Sequence, residues 1–220
     1  MQAEAGASLI DTDPTQPPGS PVSGRDRPRR PALTAVVLAI GALVWGLDQA
    51  AKAWALSTLT PGVSQPLFGH VLQLNLLFNP GAAFSLGTNI TPVFAAIQAA
   101  VVIAVVLVSR RVGSLGWAVG LGLVLGGAAG NLTDRLTRPP GFAHGWVVDF
   151  LALPNWPVFN LADSAICTAA VVLAITTFRG IGLDGSISTT GRDIEVSAVG
   201  PTSETTPLEE AEKDAEKRRG

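Results

Sequence analysis

The chain has 220 residues, 47% of them hydrophobic and only 15% charged, with a mean hydropathy of +0.38. That is too apolar for an ordinary soluble domain, and a formal net charge of -2 gives no reason to expect a nucleic-acid partner. A single cysteine excludes an internal disulfide, and no His/Cys cluster has zinc spacing, which argues against a metalloenzyme. Cys167 lies inside an apolar run with no histidine near it in sequence, which argues against a thiol protease.

Residues 1–31 are rich in Pro, Gly, Ser, Asp and Arg and lack an apolar signal-peptide core, so they predict a disordered arm. From Pro31 to Phe178 only nine Asp, Glu, Lys or Arg residues occur: Asp48, Lys52, Arg110, Arg111, Asp134, Arg135, Arg138, Asp149 and Asp163. The apolar stretches between them predict four membrane spans, since about 20 residues cross a bilayer. The first starts near Ala32, reaches Asp48 and continues through the following turns, with Asp48 to Lys52 at its end. The second covers about 92–108, the glycine-rich third about 114–132, and the fourth about 159–178. Residues 32–180 thus form one four-span domain, and residues 181–220, mixed in charge and poor in apolar residues, predict a disordered tail.

Arginine placement orients this frame. The N-terminal flank, the 110–111 loop and Arg179 supply seven arginines, whereas the opposite loops hold Lys52, Arg135 and Arg138. The positive-inside rule places both termini in the cytoplasm and all four core aspartates at the outer face. Between the first two spans, Leu72-Gln73-Leu74-Asn75-Leu76 alternates as a half-buried strand does, bounded by turn signals at Pro61-Gly62 and Pro80-Gly81. The fold class expected is an all-α membrane protein of four transmembrane helices, with a small extracytoplasmic β-sheet between the first two and disordered cytoplasmic ends. The sheet's apolar face would look to lipid or to a lipidated substrate.

Two aspartates stand in apolar settings within the most polar stretch of the core: Asp149 in WVVDF and Asp163 in FNLADSAI. Ionisable groups at a membrane boundary face a cavity or a partner rather than lipid. Two carboxyls in one such cavity share a proton, an arrangement that activates water against an amide. Each candidate has a plainer reading. Asp163 at a helix start could be only a cap or dipole partner. Asp134 reads better as structural than catalytic, and Lys52 reads better as snorkelling to the headgroups than as a base. His70 and His144 read as surface residues. The third span's glycines read as packing, with Gly130 letting substrate approach the backbone.

Five strings occur in order: Asp48-Gln-Ala-Ala-Lys52, Asn79-Pro-Gly-Ala-Ala-Phe-Ser85, Gly126-Gly-Ala-Ala-Gly-Asn131-Leu-Thr-Asp134-Arg135, Val147-Val-Asp149-Phe150 and Phe159-Asn160-Leu-Ala-Asp163-Ser164. Over about residues 33–178 the chain resembles the bacterial lipoprotein signal peptidase (signal peptidase II) family. The resemblance implies a monomeric membrane aspartyl endopeptidase of the bacterial inner membrane. It would cut prolipoproteins on the amino side of a diacylglyceryl-modified cysteine, need no metal or organic cofactor, and bind globomycin-type inhibitors. It makes Asp149 and Asp163 the catalytic pair, with Asp48, Lys52, Asn79, Gly130, Asn131, Arg135 and Asn160 supporting the pocket or orienting substrate. Only thirteen residues separate the two catalytic aspartates, two of them proline, so the loop between them is short. A proton-coupled transporter is the alternative from another class, although such proteins usually have more spans and internal repeats.

Overall fold

The computed structural model describes residues 31–81 and 90–187. Four helices in it are long and apolar enough to cross a membrane: α1 (Pro31–Thr58), α2 (Thr91–Ser109), α3 (Leu115–Thr137) and α4 (Leu161–Phe178). Three strands, β1 (Gln65–Phe68), β2 (Leu72–Asn79) and β3 (Val147–Ala152), form an antiparallel sheet in the order β1-β2-β3. Leu38, Leu43, Val93, Ile97, Ile103, Leu107, Val171 and Ile175 all point out of the bundle. That outward apolar surface is what lipid as solvent requires. The predicted arm, residues 82–89 and the tail beyond residue 187 lie outside the described residues.

The sequence places the spans well and their ends less well. At 28 residues α1 is about 42 Å long, well beyond the roughly 30 Å hydrocarbon core, and it runs on past Lys52 to Thr58. Likewise α3 runs on to Thr137, past the predicted end near residue 132, and holds Asn131, Asp134 and Arg135 on helical turns.

α3 is the central helix, packed against α1, α2 and α4. Two adjacent glycines make this possible. A β-carbon on Gly126 would meet the Gly41 carbonyl and Val44 of α1, and one on Gly127 would meet the Ala162 carbonyl and Ile166 of α4. Small residues thus let three backbones converge, which in lipid replaces the missing hydrophobic drive between helices.

The sheet differs from expectation in one respect that matters for function. Its third strand comes from the α3–α4 connection, not from the segment between the first two spans. β2 is the middle strand, pairing Leu77 with Asp149, Phe78 with Val148 and Asn79 with Val147. Leu74, Leu76, Val148 and Phe150 pack on Ala55 and Leu59 at the end of α1, and Trp54 meets the edge of Phe150 at 6.5 Å. The sheet is therefore fastened to the same helix end that carries Asp48 and Lys52.

At the opposite end of the bundle, residues 181–187 are folded, although the sequence assigns them to the disordered tail. Ile181 bridges to Ile187, the Gly113 N–H donates to the Leu183 carbonyl at 2.8 Å, and the Trp117 indole donates to the Ile181 carbonyl at 2.9 Å. A β-carbon on Gly113 would collide with the Asp184 carbonyl. Gly113→Ala should therefore lower the thermal midpoint of the detergent-solubilised protein, at a cost of about 1–3 kcal/mol, the range for overpacking. Gly46→Ala, where a β-carbon meets nothing within 4 Å, should be neutral or stabilising. Equal midpoints for the two variants would mean that this turn does not brace the bundle.

Candidate active site

The site is built where four elements meet: the last turns of α1 and α3, the start of α4, and strand β3 beside β2. Asp149 is buried on β3, at 1% exposure. Its Oδ2 accepts from Asn79 Nδ2 at 2.9 Å and its Oδ1 from Asn160 Nδ2 at 2.6 Å. Its pKa is pushed up from 3.8 to about 7, chiefly by burial and also by the neighbouring charge of Asp163, against the two amide donors and Lys52, which lower it.

Asp163 stands in the first turn of α4 in a capping box. The Asn160 side chain accepts from the Asp163 N–H at 3.0 Å, and the Asp163 carboxylate accepts from the Asn160 N–H at 3.2 Å. The cap reading is thus correct as local structure, yet it does not exhaust the residue. The other oxygen, Oδ1, accepts from Asn131 Nδ2 at 2.8 Å. Asn160 Nδ2 also donates to Asn131 Oδ1 at 3.0 Å, so Asn131 and Asn160 link the two aspartates through a chain of amides.

Asn79 reaches the site because the chain turns sharply after it. Gly81 adopts φ +109, a left-handed conformation that suits glycine, and its N–H donates to Asn79 Oδ1 at 2.8 Å. This fixes the Asn79 amide with its NH2 toward Asp149. Phe94 occupies the space a Gly81 side chain would take, and the Arg135 guanidinium stacks over that ring at 5.3 Å from its centroid. Arg135 is 5% exposed, and its Nε and Nη1 have no hydrogen-bond partner among the described residues. Buried donors of this kind are costly unless something else satisfies them.

Below the pair lies a buried ion cluster. Lys52 is fully buried, and its three N–H groups go to Asp48 at 2.8 Å, Asp134 at 2.9 Å and Asn131 Oδ1 at 3.0 Å. The snorkelling expectation for Lys52 is therefore corrected: three oxygen acceptors replace water, and the side chain has no reason to reach for the surface. Asp134 also accepts from Arg138 at 2.6 Å and from the Val148 N–H at 3.2 Å, tying α3 to β3. Asp48 accepts from the Ala162 N–H at 3.0 Å, tying α1 to the start of α4. Asp134 pairs with Lys52 and Arg138 rather than with its sequence neighbour Arg135.

Gly130 does not open the backbone to substrate. The Asp48 carboxylate and Ala162 fill the place of its side chain, and its carbonyl accepts from Gln49 at 3.1 Å, so its part is to let α1 and α4 close on α3. The structure brings together all nine residues that the sequence assigns to the site and adds Phe94, Gln49 and Arg138. Of these only Arg138 had a sequence signal, four residues after Asp134 on one helix. His70 and His144 are exposed, as expected.

Fold and site together define a multi-pass membrane protein with two aspartates, linked through asparagine amides, at the sheet-bearing end of its helix bundle. Residues 40–179 match the family model described as signal peptidase (SPase) II. The chain belongs to the signal peptidase II family. It is 41% identical over 177 residues to the lipoprotein signal peptidase of Rhodococcus jostii, covering 80% of this chain and 86% of that one. The lipoprotein signal peptidase of Mycobacterium avium is 42% identical over 171 residues, covering 78% and 92%. That of Streptomyces coelicolor is 38% identical over 185 residues, covering 84% and 91%. A solved structure described as a bacterial membrane enzyme superposes with a TM-score of 0.59 at 28% identity, covering 66% of this chain and 94% of that one.

Proposed function

We propose that this protein is a membrane aspartyl endopeptidase that removes signal peptides from prolipoproteins, cutting on the amino side of the diacylglyceryl-modified cysteine. Family membership supports the substrate class. The observation that carries the chemistry is the linked aspartate pair, in which Asp149 has its pKa pushed up to about 7. One neutral and one ionised carboxyl can then divide the work. The ionised one takes a proton from water as the water oxygen bonds to the scissile carbonyl carbon. The neutral one donates to the developing oxyanion. Arg135, with two buried donors unmet among the described residues, is placed to donate to a substrate carbonyl oxygen. Asn79, Asn131 and Asn160 hold the carboxyls in place, while Asp48, Lys52, Asp134 and Gly130 hold the helices.

The acyl chains of the substrate stay in the bilayer while the peptide enters at the sheet. Both termini lie in the cytoplasm of the bacterial cell and the aspartates at the outer face of its inner membrane, on the arginine count. Residues 32–180 form the peptidase domain, which works as a monomer without metal or organic cofactor, and globomycin-type inhibitors occupy the substrate's place. The transporter alternative has no support in the family relationship, and the four core aspartates cluster at one end of the bundle rather than at mid-depth.

The direct test is cleavage of a diacylglyceryl-cysteine precursor peptide by the purified protein in detergent, with no gradient or partner present. No product, from protein that melts cooperatively, would defeat the proposal. Topology is tested separately. Reporter fusions at Ser109 should signal cytoplasm, and those at Gly69 and Pro139 should signal outside. A cytoplasmic signal at Gly69 would put the site on the wrong face.

A further inference from the structure

Among the described residues, Lys52 is the one cation that touches both the ion cluster and the amide chain of the aspartate pair. Two of its N–H groups go to Asp48 and Asp134; the third goes to Asn131 Oδ1. A lysine can only donate, so this contact fixes the Asn131 amide with its oxygen toward Lys52 and its NH2 toward Asp163. A cation on an amide oxygen polarises the amide, and the N–H on its far side becomes a stronger donor. That stronger donor meets Asp163, not Asp149. Asp163 also receives the Asn160 N–H and sits in the first turn of α4, where the helix dipole favours negative charge. Asp149 has neither advantage: it lies on a strand and receives two side-chain amides, Asn79 and Asn160.

The charged groups around Asp149 come from three elements: Asp163 on α4, Lys52 on α1 and Arg135 on α3. β2 presents the neutral Asn79. Through space Lys52 also lowers the Asp149 pKa, but its hydrogen bond runs through Asn131 to Asp163, and among these charged groups only Lys52 is wired in this way to one aspartate in preference to the other.

We propose that Lys52 is a positioning residue that, acting through Asn131, keeps the shared proton of the pair on Asp149 and leaves Asp163 as the base that takes the proton from water. The inference rests on the aspartyl peptidase reading and adds to it which carboxyl does which job. In the attack step the Asp163 carboxylate accepts the water proton, the water oxygen bonds to the scissile carbonyl carbon, and Asp149 gives its proton to the carbonyl oxygen. When the tetrahedral species collapses, the Asp163 proton passes to the leaving amine and Asp149 recovers its own.

The test is the pH profile of kcat/KM for a charge-balanced double variant, Lys52→Met with Asp48→Asn, which leaves the Asp134–Arg138 pair intact. Losing the ammonium and the polarised amide should cost roughly 10²-fold in kcat/KM and move the whole bell to higher pH, because the pair holds its protons more tightly. Asp48→Asn alone keeps the ammonium and should not shift the bell upward. A double variant whose bell stays in place, with activity lost only in proportion to folded protein, would reduce Lys52 to a strut and overturn the proposal.

Should the double variant fail to insert, isotope-edited infrared of aspartate-labelled protein decides. At the pH of maximal activity the neutral-carboxyl signal should vanish in Asp149→Asn and persist in Asp163→Asn; the reverse pattern also overturns the proposal. If both of these dyad variants still cleave substrate, the aspartyl reading itself has failed. An unmoved bell beside inactive dyad variants removes only the role given to Lys52.

Discussion

Asp149→Asn and Asp163→Asn should each abolish prolipoprotein cleavage, by about 10⁴-fold, at normal membrane levels of the protein, because general acid–base roles are worth up to that factor. Asparagine keeps the size and one acceptor oxygen but can neither take nor release the proton. At Asp149 the substitution sets one new NH2 against a neighbour, since the amides of Asn79 and Asn160 are already fixed by the Gly81 and Asp163 N–H groups. An unmet buried donor costs about 1–3 kcal/mol, which is not enough by itself to unfold the chain. Because the pair acts as a unit, the double variant should be scarcely worse than either single one.

The pH dependence follows from the same residue. The native Asp149 pKa lies near 7 against 3.8 unfolded, so the native state keeps a proton that the unfolded chain has lost. Stability therefore falls as pH rises between these values, and Asp149→Asn removes that slope. Activity should fall as pH rises through about 7, when the pair loses its last proton, and should also fall in acid when both carboxyls are neutral, giving a bell. Substantial turnover by either single variant would remove the aspartyl mechanism.

The sequence disclosed the chemistry of the site more fully than its architecture, and particular residues show why. Asp149, Asp163, Asn131 and Asn160 are legible because a polar residue in an apolar run stands out, and their strings occur in one order. β3 was missed because Val147, Val148, Asp149 and Phe150 are all buried. With both faces covered there is no alternation to read, and its partner Leu77 is 72 residues away in the chain. The end of α3 lies beyond the stretch that hydropathy marks, which stops near Leu132, because the helix continues with its polar residues turned inward. Lys52 was misread for the same reason: an acceptor such as Asn131, 79 residues away, leaves no mark near it in sequence. The folded turn at 181–187 is held largely through backbone carbonyls, which composition cannot reveal.

Asp134→Ala should fail in the opposite way from the dyad variants, through stability rather than turnover. Asp134 is fully buried and accepts from Lys52, Arg138 and the Val148 N–H. Its loss leaves the Lys52 ammonium with Asp48 and Asn131 alone, strands the Val148 N–H, and unties α3 from β3, the strand that carries Asp149. Removing one partner of a buried ion pair costs about 3–5 kcal/mol, a large share of the 5–15 kcal/mol that holds a typical domain together. Arg138 is partly exposed and contributes little to that figure. The variant should accumulate poorly and melt early, while the fraction that is folded still cleaves substrate. Asp134→Asn keeps an acceptor for Lys52 or Val148 and should fall between this variant and the wild type. A quantitative immunoblot of membranes, a melt in detergent and a cleavage rate per folded molecule separate the two kinds of failure. Protein that melts normally yet does not cleave would place Asp134 in the chemistry and not beneath it.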